Sequence, residues 1–238
     1  MMKTFTNINL KRSLLVLSFS LLFAIVWSSC KKSDTTDSTA GISYLSVVNG
    51  SPSTGTFNVY ANDVLMNKAA LPMGGSVLPY AQLVSGSNTL RFTTASSTDN
   101  LLSKTISLSG STAYTYFLIG QSGQLDGVLA TDVMTTVSTD KAFVRFVNLS
   151  PDAPSLNLAV TGGSVVINNQ FYKQVSSFVA VDPKTYSFDI QEQSTGKAKT
   201  TLTGATLVAG KYYTVMALGM MAPGAAENAL NAQIMTNQ

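Results

Sequence analysis

The chain of 238 residues contains no histidine, one cysteine and one tryptophan. Without histidine there is no Ser-His-Asp or Cys-His nucleophilic pair and no His-containing zinc site. A single cysteine, Cys30, leaves no internal disulfide in any redox compartment. Charge is also scarce: Asp, Glu, Lys and Arg make up 11% of the residues, and Ser, Thr, Asn and Gly fill much of the remainder. That mix suits an all-β extracytoplasmic protein better than a cytosolic enzyme. No closely spaced Asp-x-Asp suggests a calcium loop, and no Gly-rich phosphate loop joins a strand to a helix. No cofactor is therefore expected. The hydrophobic fraction of 45% in turn excludes a disordered chain.

What is present begins with a targeting segment. Lys3, Lys11 and Arg12 precede the uncharged run "SLLVLSFSLLFAIVW", Ser13 to Trp27. As a helix this run spans roughly 22 Å, short of the ~30 Å hydrocarbon core, so it reads as a cleaved signal rather than a permanent span. Ser28, Ser29 and Cys30 follow. "WSSC" resembles a bacterial lipoprotein signal, with Trp27 where that class carries an aliphatic residue. The resemblance implies that residues 1–29 are removed and that Cys30 is lipidated, with the membrane engaged through its acyl chains. Losing Lys3, Lys11 and Arg12 leaves 12 basic residues against 12 acidic ones. The mature chain is thus near neutral, and no basic patch argues for nucleic acid. The polar stretch 30–41 reads as a flexible tether. Its short charged start resembles the surface-export signals of Bacteroidetes lipoproteins. The expected location is the cell envelope, lipid-anchored at the outer membrane and displayed at the surface.

The remainder repeats itself. "LSVVNGSPSTGTFNVYA" (Leu45 to Ala61) and "VRFVNLSPDAPSLNLAV" (Val144 to Val160) align with Ser51 on Ser150, 99 residues apart. "LSGSTAYTYFLIG" and "LVAGKYYTVMALG" keep the same offset and place Tyr114 on Tyr213. The closing segments "LDGVLATD" and "LNAQIMTN" are offset by 105, because the second copy carries the insert "MMAPGAAEN". The order of matches indicates a tandem duplication, with repeats over 42–137 and 140–238 and a short link between them that limits hinging.

Within each copy apolar residues alternate with period two, as Tyr186, Phe188 and Ile190 do in "TYSFDIQE". One face is then in a core and the other in water. Turn signals such as Asn62-Asp63, Gly162-Gly163 and Asp182-Pro183 separate the runs. About seven short strands per copy predict two immunoglobulin-like antiparallel β-sandwiches. The pattern Leu207-x-x-Gly210-x-x-Tyr213 is similar to the tyrosine corner of such sandwiches, with Tyr114 in the equivalent place.

At "VRFVNLSPDAPSLNLAV" the sequence resembles domain-of-unknown-function family 4397, found in bacterial envelope proteins. Its mark is a hydrophobic strand, Ser-Pro-Asp-Ala-Pro, and another strand. The first copy keeps Ser51-Pro52 and has Ser53-Thr54-Gly55 instead of Asp-Ala-Pro. The resemblance implies a β-sandwich and an envelope location, and no activity.

Ser150, Pro151, Asp152 and Pro154 have two readings: a ligand loop at one end of a sandwich, or a strand-ending bend built from proline and local side-chain hydrogen bonds. The half-kept copy at Ser51-Pro52 favours the bend. Met220 and Met221 in the insert either cover a domain edge or form a contact surface. Carboxylate pairs, for example Asp189 with Glu192 or Asp152 with Asp182, leave general acid/base hydrolysis formally open. Tyr60, Tyr80, Tyr116 and Tyr172 are the available aromatic platforms for a glycan. The expected role is non-enzymatic: structural, adhesive or binding to an envelope protein. The alternative is a glycan-binding accessory lipoprotein of polysaccharide uptake.

Overall fold

The computed structural model describes residues 41–134 and 138–237. The signal segment, Cys30 and most of the tether lie outside the described residues, as do residues 135–137 of the link. The described chain is all-β, with sixteen strands in four four-stranded sheets.

The first half holds β1 (Ile42–Asn49), β2 (Phe57–Ala61), β3 (Val64–Leu65), β4 (Ala81–Val84), β5 (Gly86–Thr94), β6 (Leu102–Leu108), β7 (Ala113–Ile119) and β8 (Asp126–Thr131). The second holds β9 (Ala142–Asn148), β10 (Leu156–Val160), β11 (Val165–Gln170), β12 (Val179–Val181), β13 (Thr185–Glu192), β14 (Ala198–Thr206), β15 (Tyr212–Leu218) and β16 (Asn231–Thr236). In the first half the sheets run β4-β1-β7-β8 and β3-β2-β5-β6; in the second they run β12-β9-β15-β16 and β11-β10-β13-β14. The two orders are the same. Each half has eight strands rather than seven, because the short edge strands β3 and β12 leave little trace in the apolar pattern.

Most pairings are antiparallel, as two-residue turns allow. Asn62 and Asp63, at φ 48° and 64°, close the β2–β3 hairpin in the left-handed region that such turns require. One pair per half is parallel: β1 with β7, and β9 with β15.

Each half has its own core between its two sheets. Leu45, Val47, Val59, Phe92 and Leu118 meet in the first, and Val144, Phe146, Leu158, Phe188 and Val215 in the second. Both tyrosine corners form. The Tyr114 hydroxyl accepts the Ser109 amide at 3.1 Å, and the Tyr213 hydroxyl accepts the Val208 amide at 3.0 Å. Both rings are buried at the core edge. Gly120 and Gly219 turn the chain out of β7 and β15 at φ 87° and 86°. A Cβ at either would lie 2.3 or 2.2 Å from a carbonyl oxygen, so only glycine fits.

A third apolar cluster draws on both halves. Val48, Phe117, Ile119 and Ala130 pack with Val147, Leu149, Met216, Leu218 and Met235. The outer faces of the two parallel-containing sheets therefore lie against each other. That explains a departure from simple alternation: β9 and β15 are buried at every residue. The contacts are reciprocal. Leu149 packs on Gly50, its own counterpart 99 residues earlier. Gln233 of β16 lies against Gly74, and Lys173, the counterpart of Gly74, reaches Asp126 of β8 at 3.0 Å. Such reciprocity marks an approximate two-fold arrangement.

The two hydroxyl environments predict opposite effects of the same substitution. Tyr213→Phe leaves the Val208 amide without its acceptor and should lower stability by about 1 kcal/mol. The Tyr116 hydroxyl is buried without a hydrogen-bond partner among the described residues. Tyr116→Phe should therefore leave the thermal midpoint unchanged or raise it, and denaturant unfolding of both variants checks the contrast.

Candidate functional site

The two buried charges of the described residues, Arg145 and Asp132, lie where the two halves meet. Arg145 stands in the apolar run of β9 with its side chain 2% exposed. A guanidinium stays charged at any physiological pH, so its burial requires a fixed anion. Asp132, just past β8 of the other half, supplies it: Nη1 lies 2.6 Å from Oδ1 as an ion pair, outside hydrogen-bond geometry. The remaining polar atoms form a closed circuit. Arg145 Nε donates to Thr214 Oγ1 at 2.8 Å, and that hydroxyl donates to Asn237 at 2.6 Å. The Asn237 amide donates to the Tyr80 hydroxyl at 2.9 Å, and Tyr80 donates to Asp132 Oδ2 at 2.6 Å. Thr115 donates to the same carboxylate oxygen at 2.7 Å and accepts from Arg145 Nη2 at 3.3 Å. Phe178 lies beneath the guanidinium, 4.7 Å from its ring centre. Burial, and then the Asp132 charge, raise the Tyr80 phenol well above its ordinary value and keep it a donor.

The repeat makes this circuit asymmetric. Ser46 is the counterpart of Arg145, and Asn237 that of Asp132. The first half therefore gives the acid and the second the base, on otherwise matching surfaces.

A second contact joins the Ser-Pro bends. Both are Asx turns: Asn49 accepts the Ser51 amide at 3.0 Å, and Asn148 accepts the Ser150 amide at 3.1 Å. The Ser51 hydroxyl also donates to the Gly120 carbonyl at 2.7 Å. Ser51, Pro52 and Ser150 are buried, Pro151 half-buried and Pro154 exposed. Asp152 reaches out of its bend to the insert, accepting the Met221 and Ala222 amides at 2.8 and 2.9 Å. The far limb of that insert crosses to the first half. Ala226 accepts the Thr54 amide at 3.0 Å, the Asn228 amide donates to Pro52 at 2.7 Å, and Gln121 donates to Glu227. The insert is thus a clasp, held at one end by the second bend and laid along the first. The first bend has no insert of its own to hold, which accounts for its missing acid.

Of the two readings of Met220, edge cover or contact surface, its placement is that of a cover: it is 7% exposed, fixed through backbone bonds to Asn228 and Leu230. Met221 is half-buried beside it. The suggested acid pairs are likewise engaged elsewhere. Asp182 binds Lys141 at 2.7 Å, Glu192 binds Lys199 at 2.7 Å, and Asp189 accepts two threonine hydroxyls. Of the suggested aromatic platforms, Tyr116 is buried, Tyr80 belongs to the circuit, Tyr172 packs at the junction, and Tyr60 lies under Arg91 at 4.0 Å.

Sequence reasoning passed over Tyr44, a tyrosine ring left 39% exposed. It borders a groove of about 560 Å³ with Leu78, Pro79, Ala113 and Met134. One difference between the halves leaves the ring uncovered. Phe143 and Tyr212 pair across β9 and β15 and stack at 4.6 Å. Their counterparts are Tyr44 and Ala113, paired in the same way. Alanine in place of the second ring leaves Tyr44 39% exposed with open space beside it.

Residues 43–159 match a family described as "Domain of unknown function (DUF4397)". The match covers the first sandwich from Ser43 onward and β9 with most of β10 in the second, and so includes both Ser-Pro bends. No curated protein matches the chain.

Two outcomes follow from this geometry. Arg145→Met strands a buried carboxylate and should cost about 3–5 kcal/mol in urea unfolding; Arg145→Met with Asp132→Asn should recover more than half of it. Asp152 reports on the clasp. Burial works to raise its carboxyl, but the amides of Met221 and Ala222 outweigh that and hold it below the ordinary value. Its contribution is therefore complete above the ordinary range near pH 4 and is lost as pH falls through the lower folded value. Hydrogen-exchange protection of Met221 and Ala222 should fall in that acid window, and Asp152→Asn should show the low protection at neutral pH.

Proposed function

We propose that this is a lipid-anchored cell-envelope protein with a non-enzymatic, partner-binding or adhesive role, presenting a stiff two-sandwich body at the outer membrane. The observation that carries this reading is the placement of Cys30 between an uncharged 15-residue run and a compact β unit that begins at Ile42. Few residues separate anchor and body, and the body resists bending because its two halves share a buried cluster, an ion pair and a clasp. Such a body keeps the two sandwiches in a fixed orientation to each other for whatever it holds. The interior polar groups support the non-enzymatic side of the reading, since their hydrogen bonds are spent on joining the halves.

Glycan binding at the envelope has one supporting observation, the open ring of Tyr44. It draws less from its surroundings, because the neighbouring Tyr80 hydroxyl and Asn237 amide are already committed to the circuit. A sugar needs hydrogen-bonding edges as well as a ring face.

The anchor is tested directly. Labelled palmitate should enter the wild-type chain in cells and be absent from Cys30→Ala, and protease added to intact cells should degrade the displayed chain. Equal labelling of the two chains, or none in either, overturns the proposal.

A further inference from the structure

We infer that the apolar surface around Tyr44 is a docking face for the lipid bilayer itself, so that the body lies against the membrane rather than swinging free on its tether. The inference rests on the anchoring at Cys30 proposed above. Its basis is a comparison of equivalent places in the two halves. Ile42 pairs with Val84 at the start of β1, and both are exposed, at 40% and 57%. At the equivalent place in the second half stand Lys141 and Asp182, which form a solvated ion pair at 2.7 Å. Directly opposed residues share a sheet face. Ile42 and Val84 therefore extend the surface that carries Tyr44, and Leu78, 44% exposed, borders the groove beside it. Grooves of similar size, about 550 and 560 Å³, border the rings of both halves, but where the second half has an ion pair and two stacked rings, the first has four exposed apolar side chains.

The position of this face along the chain identifies its occupant. Ile42 is the first residue of the first strand. Cys30 precedes it by twelve residues, so acyl chains there hold the face within ~40 Å of the bilayer even with the tether fully extended. A patch tethered that closely meets lipid at a very high effective concentration. Tyrosine is suited to the boundary, with an apolar ring and a hydroxyl that stays in the headgroup layer.

The test uses the full chain, purified from cells with its lipid and reconstituted in phosphatidylethanolamine–phosphatidylglycerol vesicles carrying brominated acyl chains. In a Trp27→Phe background, Tyr44→Trp places the only tryptophan on the face, and Val165→Trp places one on exposed β11 of the second half. The expected result is quenching at position 44 at least about two-fold stronger than at 165. The Ile42→Lys, Val84→Asp pair, which copies the second half, should reduce it. Quenching no greater at 44 than at 165, in protein that carries labelled palmitate, overturns the inference and leaves the face to another protein or a second copy. Absence of the label instead overturns the anchor, and selective quenching at 44 would then still support the face.

Discussion

The arrangement of the whole molecule depends on one buried ion pair. Arg145 sits in a strand with apolar residues on both sides, and its charge is tolerable only with Asp132 in place. Because these residues belong to different halves, satisfying the charge and docking the halves are one event. The docked sheets then bury β9 and β15 on both faces. The hydroxyls of Thr115, Thr214 and Tyr80, with the amide of Asn237, remove the remaining polar valences. A half-complete circuit in such surroundings is worse than none, since unpaired groups lose water without compensation. The interface therefore closes as a unit, and its apolar cluster supplies the driving force that the ion pair alone would not.

The legible parts of the fold were those whose signal is local. "TYSFDIQE" alternates because β13 keeps one face outward, and a leucine six residues before a tyrosine, with Gly210 or Ser111 midway, marks both corners because the hydroxyl bonds only five residues back. The junction was not legible, for an equally physical reason. Strands buried on both faces lose the alternation that separates inside from outside, as "VRFVN" and "YTVMAL" do. The one available clue was a charge in the middle of an apolar run, at Arg145. Its partner could not be picked from sequence, since each of the 12 acids is a formal candidate. Ser46, the neutral residue at the equivalent place, was a second clue that the comparison of repeats contained.

Ser-Pro-Asp illustrates how a dense polar motif divides its work. Its asparagine, serine and proline make the bend and recur in both halves. Its aspartate belongs to something else, the insert that occurs only in the second half. The changed offset between repeats located that insert, but not its destination, because Asn228 meets Pro52 across 176 residues of chain. The same kind of difference, alanine for tyrosine at position 113, opens the surface beside Tyr44. The differences at Arg145, Asp132, Ala113 and the insert thus serve the junction or the outside.

The contact of Leu149 with Gly50 extends that point to the behaviour of many chains together. Two first halves brought face to face would set glycine against glycine and leave two Asp132 carboxylates opposite Ser46. Two second halves would force leucine against leucine and enclose two guanidiniums beside Asn237. Each like-with-like pairing is penalised twice, once by shape and once by charge. The junction therefore selects the complementary half over a second copy of the same one, and two neighbouring molecules gain nothing by pairing like halves.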